Sequence, residues 1–177
     1  MRGGIRRGSS RDPDGAEALA LLGAAHATLA TAESLTGGRL ASVVTAVPGA
    51  SASYLGGFVT YATALKESLL GVPADLVAEY GVVSAECARA MAAGCREATG
   101  ATYALATTGV AGPDTQEGKP VGTVFVGIAG PDGVSAVSME LVGDRHQIQD
   151  RACREALAAL CGMLRVSKPD GEQPPLR

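Results

Sequence analysis

An apolar stretch over residues 27–32 runs directly into Glu33-Ser34-Leu35-Thr36-Gly37-Gly38, and a helical pattern follows. This passage constrains the fold more than any other, because a strand leading straight into a helix is the unit from which α/β sheets are built. The turn also carries chemistry. A serine at such a turn exposes its hydroxyl, and backbone N–H groups at a helix start hold anions. Ser and Thr serve equally as helix caps, so the turn by itself leaves a plain cap and a functional site both open.

The same alternation continues along the chain. A helix is expected over 17–25, a strand over 28–32 and a helix over 36–45 that stops before Pro48-Gly49. A second strand falls at Gly57-Phe58-Val59-Thr60-Tyr61. A short helix bearing Lys66 and Leu70 ends at Gly71, and Pro73 opens another that ends near Tyr80. Ser84 caps a long Ala-rich helix to about Thr99, and a third strand covers 103–107. Residues 109–122 are rich in Gly and Pro and read as a loop. Strands over 123–129 and 134–141 flank Gly130-Pro131-Asp132-Gly133, a hairpin signal. Asp144 with Gln147 three residues on resembles a capping box for a last helix reaching about Leu164.

This order implies a three-layer α/β/α sandwich with a mixed, mostly parallel sheet and one late β-hairpin. Ligands in such sheets bind at the C-terminal ends of the parallel strands. Three loops fall there, over 33–38, 61–66 and 108–112. The chain of 177 residues divides into an N-terminal tail over 1–15, one domain over 16–166 and a C-terminal tail over 167–177. Both tails are too polar and too rich in Gly, Pro and charge to order themselves.

Composition narrows the function. Aromatic residues are 3% of the chain and Trp is absent, so the core is built from Ala, Val and Leu. A net charge of −3 argues against a nucleic-acid-binding surface. There is no run of apolar residues long enough to span a membrane and no apolar segment behind the basic N-terminus, so no membrane association and a cytoplasmic location are expected. Cys87, Cys95, Cys153 and Cys161 lie in helical patterns without metal-ligand spacing, and the only histidines are His26 and His146. No metal and no cofactor are expected, and the cysteines read as small buried apolar residues. The flat faces of the Ala-rich helices suit subunit contacts, so a homo-oligomer is expected.

Lysine is scarce. Twelve of the fifteen basic Lys and Arg residues are Arg, and the lysines are Lys66, Lys119 and Lys168. Arg cannot lose its proton at accessible pH, whereas a desolvated Lys can. Lys168 falls in the C-terminal tail and Lys119 in a flexible loop. Lys66 follows a strand near the edge of the expected site, and on the residue alone two readings stay open: an exposed helix lysine, as most lysines are, or a neutral amine that accepts the Ser34 proton.

Six segments in order then carry a family resemblance: Ala32-Glu33-Ser34-Leu35-Thr36-Gly37-Gly38; Gly57-Phe58-Val59-Thr60-Tyr61 with Lys66; Leu69-Leu70-Gly71-Val72; Thr108-Gly109-Val110-Ala111-Gly112-Pro113; Lys119-Pro120-Val121-Gly122-Thr123-Val124; and Gly143-Asp144-Arg145. Together they resemble the CinA C-terminal domain family, the nicotinamide-nucleotide amidohydrolases (PncC), over about residues 16–164. The resemblance implies deamidation of nicotinamide mononucleotide to nicotinic acid mononucleotide and ammonia, in pyridine-nucleotide salvage. It implies Ser34 as nucleophile, Lys66 as its base and Tyr61 as an assisting group. It places substrate contacts at Thr36, Gly37, Gly38, Thr108, Gly109, Ala111, Gly112 and Arg145, of which Thr108 shapes the pocket. Two departures from the family pattern bear on substrate contacts. Ala62-Thr63-Ala64-Leu65 stands where Asn-Glu-Ala is frequent, and Gln149 where an Arg is frequent. A nucleotide- or partner-binding module without catalysis, and a Ser-Lys amidase of another substrate, stay open on the residues alone.

Overall fold

The computed structural model describes residues 15–166. The C-terminal tail and all of the N-terminal tail but Gly15 lie outside the described residues, and Gly15 opens the first helix. The elements run α1 (Gly15–Ala24), β1 (Leu29–Glu33), α2 (Arg39–Thr45), β2 (Tyr54–Val59), α3 (Thr63–Leu70), α4 (Ala74–Tyr80), α5 (Ala85–Thr99), β3 (Tyr103–Gly109), β4 (Thr123–Gly130), β5 (Gly133–Glu140) and α6 (Arg145–Val166). The strands form one five-stranded mixed sheet in the order β2-β1-β3-β4-β5. β2, β1 and β3 are parallel, and β3, β4 and β5 are antiparallel.

Side-chain alternation along the central strands builds a core on each face of the sheet. Leu29 of β1 with Tyr103 and Leu105 of β3 packs against α1, α2 and α6, through Leu22, Leu40, Leu157 and Leu160. Ala30, Ala32, Ala104 and Ala106 face the other way, onto Cys87, Met91 and Cys95 of α5 with Leu70 and Val72 at the end of α3. A core short of aromatic rings must close by bringing backbones near. At Gly127 of β4 an added Cβ would lie 2.0 Å from the Ala88 carbonyl oxygen, and at Gly94 of α5 one would lie 1.7 Å from that of Leu70. Glycine at these positions lets α5 settle on the sheet and α3 on α5.

The local signals mark the elements well. Ser84 Oγ accepts from the Cys87 amide at 3.0 Å. The Asp144–Gln147 capping box closes in both directions at 2.9 Å. Gly71 caps α3 with a left-handed φ of 63°. Two boundaries move. β2 starts at Tyr54, whose hydroxyl pairs with Thr31 Oγ1 at 2.7 Å, and it ends before Tyr61. α2 starts at Arg39, three residues later than expected, because Gly37 and Gly38 take φ of 58° and 97°. The loop over 109–122 is tied in place rather than open. Glu117 accepts from the Val82 and Val83 amides at 2.9 Å each, and Gln116 and Lys119 bridge each other through their backbones. All four cysteines are buried free thiols. The Ala-rich faces of α5 and α6 turn inward, with Ala88, Ala92, Ala152 and Ala156 buried, so they serve packing within the chain. Among the described residues no helix is long and apolar enough to cross a membrane.

Candidate active site

The C-terminal ends of β1, β2 and β3 converge as the strand order requires, and a cavity of about 290 Å³ opens above them. Ser34, the first residue after β1, lies on its wall with Leu35. Tyr61, Thr63 and Lys66 come from the segment after β2 and from α3, Thr108 to Gln116 from the end of β3 and the following loop, Val82 and Val83 from the lead into α5, and Arg145 from the start of α6.

Lys66 holds the centre of this arrangement. On α3 only Lys66 and Leu70 are buried, four residues apart and therefore on one face. Leu70 fills the core beneath α5, and the Lys66 stem takes the adjoining inward position, leaving the residue 1% exposed. Its Nζ lies 3.1 Å from Ser34 Oγ, 2.7 Å from the Thr60 carbonyl oxygen and 3.4 Å from that of Tyr61. Among the described residues no carboxylate pairs with it. Burial therefore pushes the Lys66 ammonium below its ordinary pKa, with the Cys87 thiol and the Glu117 carboxylate opposing. Burial also pushes the Cys87 thiol up to about 11, so near neutrality it carries no charge to hold the lysine protonated. A neutral amine has two N–H donors and one lone pair. Two carbonyls take those donors, and the Ser34 hydroxyl is placed to share its proton with the lone pair.

The mouth of the cavity is set by Arg145. Its Nη1 donates to the Gly112 carbonyl at 2.6 Å and its Nη2 to the Tyr61 hydroxyl at 2.9 Å. Tyr61 is 60% exposed, its ring at the rim and its hydroxyl accepting from the guanidinium. Arg145 has no carboxylate bonded to it among the described residues, and it presents its positive charge to a cavity that Asp114 also lines. Thr108 lines the wall and donates its hydroxyl to the Val82 carbonyl at 2.6 Å, an arrangement that holds the wall in shape. Gly109, Ala111 and Gly112 line the cavity through their backbone.

Thr36, Gly37 and Gly38 stand apart from this cavity. Thr36 is buried, with Oγ1 2.7 Å from Glu33 Oε2 and 2.7 Å from Thr107 Oγ1. The Gly38 and Leu40 amides donate to Glu33 Oε2 at 3.0 Å, and the Ala41 amide donates to Oε1 at 2.8 Å. The helix start that the sequence offers to a ligand's anion is thus occupied by the chain's own carboxylate. Glu33 points to the α2 face because Leu29, Thr31 and Glu33 alternate with Ala30 and Ala32. A carboxyl group at the end of a buried central strand must be hydrogen-bonded, and that was the available signal. Glu117, the anchor of the loop over 109–122, was not legible as a neighbour of the site, and Gln149, noted as a departure from the family pattern, donates to the Leu35 carbonyl at 2.7 Å. Lys119 stays off the cavity wall. Among the described residues no three His, Cys, Asp or Glu side chains converge as metal ligands.

Comparison with known proteins agrees with the geometry in family. The CinA C-terminal domain matches residues 15–164. A CinA-like protein of Frankia casuarinae is 56% identical over 146 residues, covering 82% of this chain and 34% of that protein. A CinA-like protein of an Anaeromyxobacter species is 50% identical over 155 residues, covering 86% of this chain and 38% of that protein. The chain thus spans about a third of the length of these curated relatives. The crystal structure of a competence-damaged protein (CinA) superfamily protein from Klebsiella pneumoniae superposes with a TM-score of 0.84 at 34% identity, covering 86% of this chain and 96% of that one. A superfamily member from Escherichia coli superposes at 0.83 with 34% identity, covering 90% and 95%. The strand order, the ordered segments from the β1 turn to Arg145 and these relatives converge on one assignment: the chain belongs to the CinA C-terminal domain family.

Proposed function

We propose that this protein hydrolyses the carboxamide of nicotinamide mononucleotide to nicotinic acid mononucleotide and ammonia, with Ser34 as nucleophile and Lys66 as general base. The observation that carries the reading is the buried Lys66 Nζ, 3.1 Å from Ser34 Oγ and without an acidic partner among the described residues. A lysine stripped of water and counter-ion is one that can be neutral at working pH.

In the first step Ser34 Oγ bonds to the carboxamide carbon, its proton passes to Lys66 Nζ, and the carbonyl π pair moves to oxygen. The amide of Leu35, a residue on the cavity wall, has no acceptor among the described residues and is the nearest donor in sequence for that oxyanion. Such donors are worth about 2.7–4 kcal/mol each where they have been removed. As the tetrahedral intermediate collapses, the C–N bond breaks and Lys66 returns its proton to the nitrogen, which leaves as ammonia. Water then adds to the ester with Lys66 taking its proton, and collapse releases the carboxylate and restores the Ser34 hydroxyl. Arg145, with the backbone of 109–112, supplies the charge and donors for the substrate's phosphate. Tyr61, bonded to Arg145, links that end of the cavity to the Lys66 side.

Ammonia release from nicotinamide mononucleotide by the purified protein, set beside Ser34→Ala, tests the reading. Turnover is expected in the native chain. Ser34→Ala is expected to fold and to bind the nucleotide while losing turnover by a factor on the order of 10⁴ or more, the scale seen when a serine nucleophile is removed. Equal turnover in the folded variant overturns the acyl-enzyme mechanism. Binding without ammonia release in the native chain overturns the enzymatic reading.

A further inference from the structure

Gln149 sits in the second turn of α6, four residues after Arg145 and so on the same face. It is 7% exposed, and its Nε2 donates to the Leu35 carbonyl oxygen at 2.7 Å. The family resemblance marks this position as a departure that bears on substrate contacts. The structure puts the side chain behind the Ser34 turn, off the cavity wall, with Leu35 between it and the cavity.

The consequence follows from peptide geometry. The Leu35 carbonyl and the Thr36 N–H belong to one planar trans unit and point in opposite directions. A donor that holds the carbonyl toward α6 therefore holds the N–H away from it. The preceding unit is fixed similarly, since the Ser34 carbonyl accepts from the Gly37 amide at 3.1 Å and the Leu35 N–H must point the other way. The turn is also tied to Glu33 and to Thr107 of β3, through Thr36 Oγ1 and the Ser34 amide. Gln149 is the tie from α6, and it reaches across 114 positions of sequence.

We infer that Gln149 is a positioning residue, which fixes Leu35 after Ser34 so that the Ser34 turn and the Leu35 amide are held ready for the oxyanion, and which registers that turn to Arg145 one helical turn away. This rests on Ser34 being the nucleophile. A buried amide suits the task, because it supplies a directional donor to the carbonyl without burying a charge.

The test uses Gln149→Met, which keeps an unbranched side chain of similar length and removes the donor, and Gln149→Arg, which restores a donor. For each the melting temperature, kcat and KM for nicotinamide mononucleotide are measured. So is the rate at which a fluorophosphonate labels Ser34, a step that forms the Oγ–P bond, expels fluoride and passes the serine proton to Lys66. Gln149→Met is expected to lower kcat and the labelling rate together by about 10–100-fold, up to the loss of one oxyanion donor, with KM within about threefold. Gln149→Arg is expected to recover part of both. A folded Gln149→Met with native kcat and labelling overturns the inference, and a rise in KM at constant kcat makes Gln149 a substrate contact instead. Should Gln149→Met not fold, Gln149→Glu is read by the same criteria, its carboxylate facing the Leu35 carbonyl; failure of both to fold overturns the inference in favour of a purely structural role. A native protein that neither turns over nor labels removes the nucleophile reading itself. A native protein that labels without turnover leaves the inference to be decided by the labelling rates.

Discussion

Lys66 Nζ lies 3.1 Å from Ser34 Oγ and directs its other contacts to the carbonyls of Thr60 and Tyr61, two oxygens fixed by the backbone. Burial is the main cause that lowers the Lys66 pKa. The amine gives up its proton as pH rises through that lowered value, so native turnover is expected to rise with pH along one limb that reports this loss. Lys66→Arg keeps the charge and cannot act as a base near neutrality. It is expected to be nearly as inactive as Lys66→Met, each down by about 10²–10⁴-fold, the range for a general base. Steady-state rates between pH 5 and about 10 decide it. Substantial turnover by a folded Lys66→Arg sinks the dyad.

The same burial has a cost in stability. Between the lowered pKa of the folded protein and the ordinary lysine value of 10.5, the unfolded chain binds a proton that the native state does not. Unfolding free energy therefore rises with pH across that window, and the deficit is largest below it. Lys66→Met removes the titrating group and places a flexible apolar chain in the same site. Its melting temperature at neutral pH is expected to exceed that of the native protein, with the gap narrowing as pH approaches 10.5. Thermal melts across this range would contradict the account if the gap were flat or reversed.

Arg145 holds Gly112 and Tyr61 and has no carboxylate bonded to it among the described residues. Arg145→Ala is expected to weaken nicotinamide mononucleotide by about 1.5–3 kcal/mol, the value of a charge-assisted contact. Nicotinamide riboside, which lacks the phosphate, should lose much less. Calorimetric titration of both ligands into the folded variant makes the comparison, and equal losses would mark Arg145 as a strut of the cavity mouth.

Glu33 accepts one hydroxyl and three backbone amides while fully buried. In Glu33→Gln one carboxylate oxygen becomes an NH2 group, which cannot accept from those amides. A buried donor left facing a donor costs about 1–3 kcal/mol, and the lost charge assistance adds to it. A loss of about 2–4 kcal/mol on urea unfolding is expected. A variant as stable as the native chain would show that water substitutes for the carboxylate.

Much of the fold could be read locally. Ser84, the Asp144–Gln147 box, Gly71 and the Gly130-Pro131-Asp132-Gly133 turn each act within a few residues, and each marks an element boundary. That the loops after the first three strands wall one cavity was legible because the order of strands and helices places their ends together. Scarcity of lysine was enough to single out Lys66.

Which atoms face which was decided by packing. Ser34 and Lys66 are 32 positions apart, Thr36 and Thr107 are 71, and Gln149 and Leu35 are 114. Thr36, Gly37 and Gly38 read as ligand contacts in the sequence because their residue types suit an anion, yet the Glu33 carboxylate reaches the helix start first. Gln149 read as a departure at a substrate contact, yet its amide turns inward to a backbone carbonyl. A cap or a turn is specified by residues bonded close along the chain. A partner across the sheet is specified only once α2, α3 and α6 have docked and each buried polar group has taken the nearest group able to satisfy it.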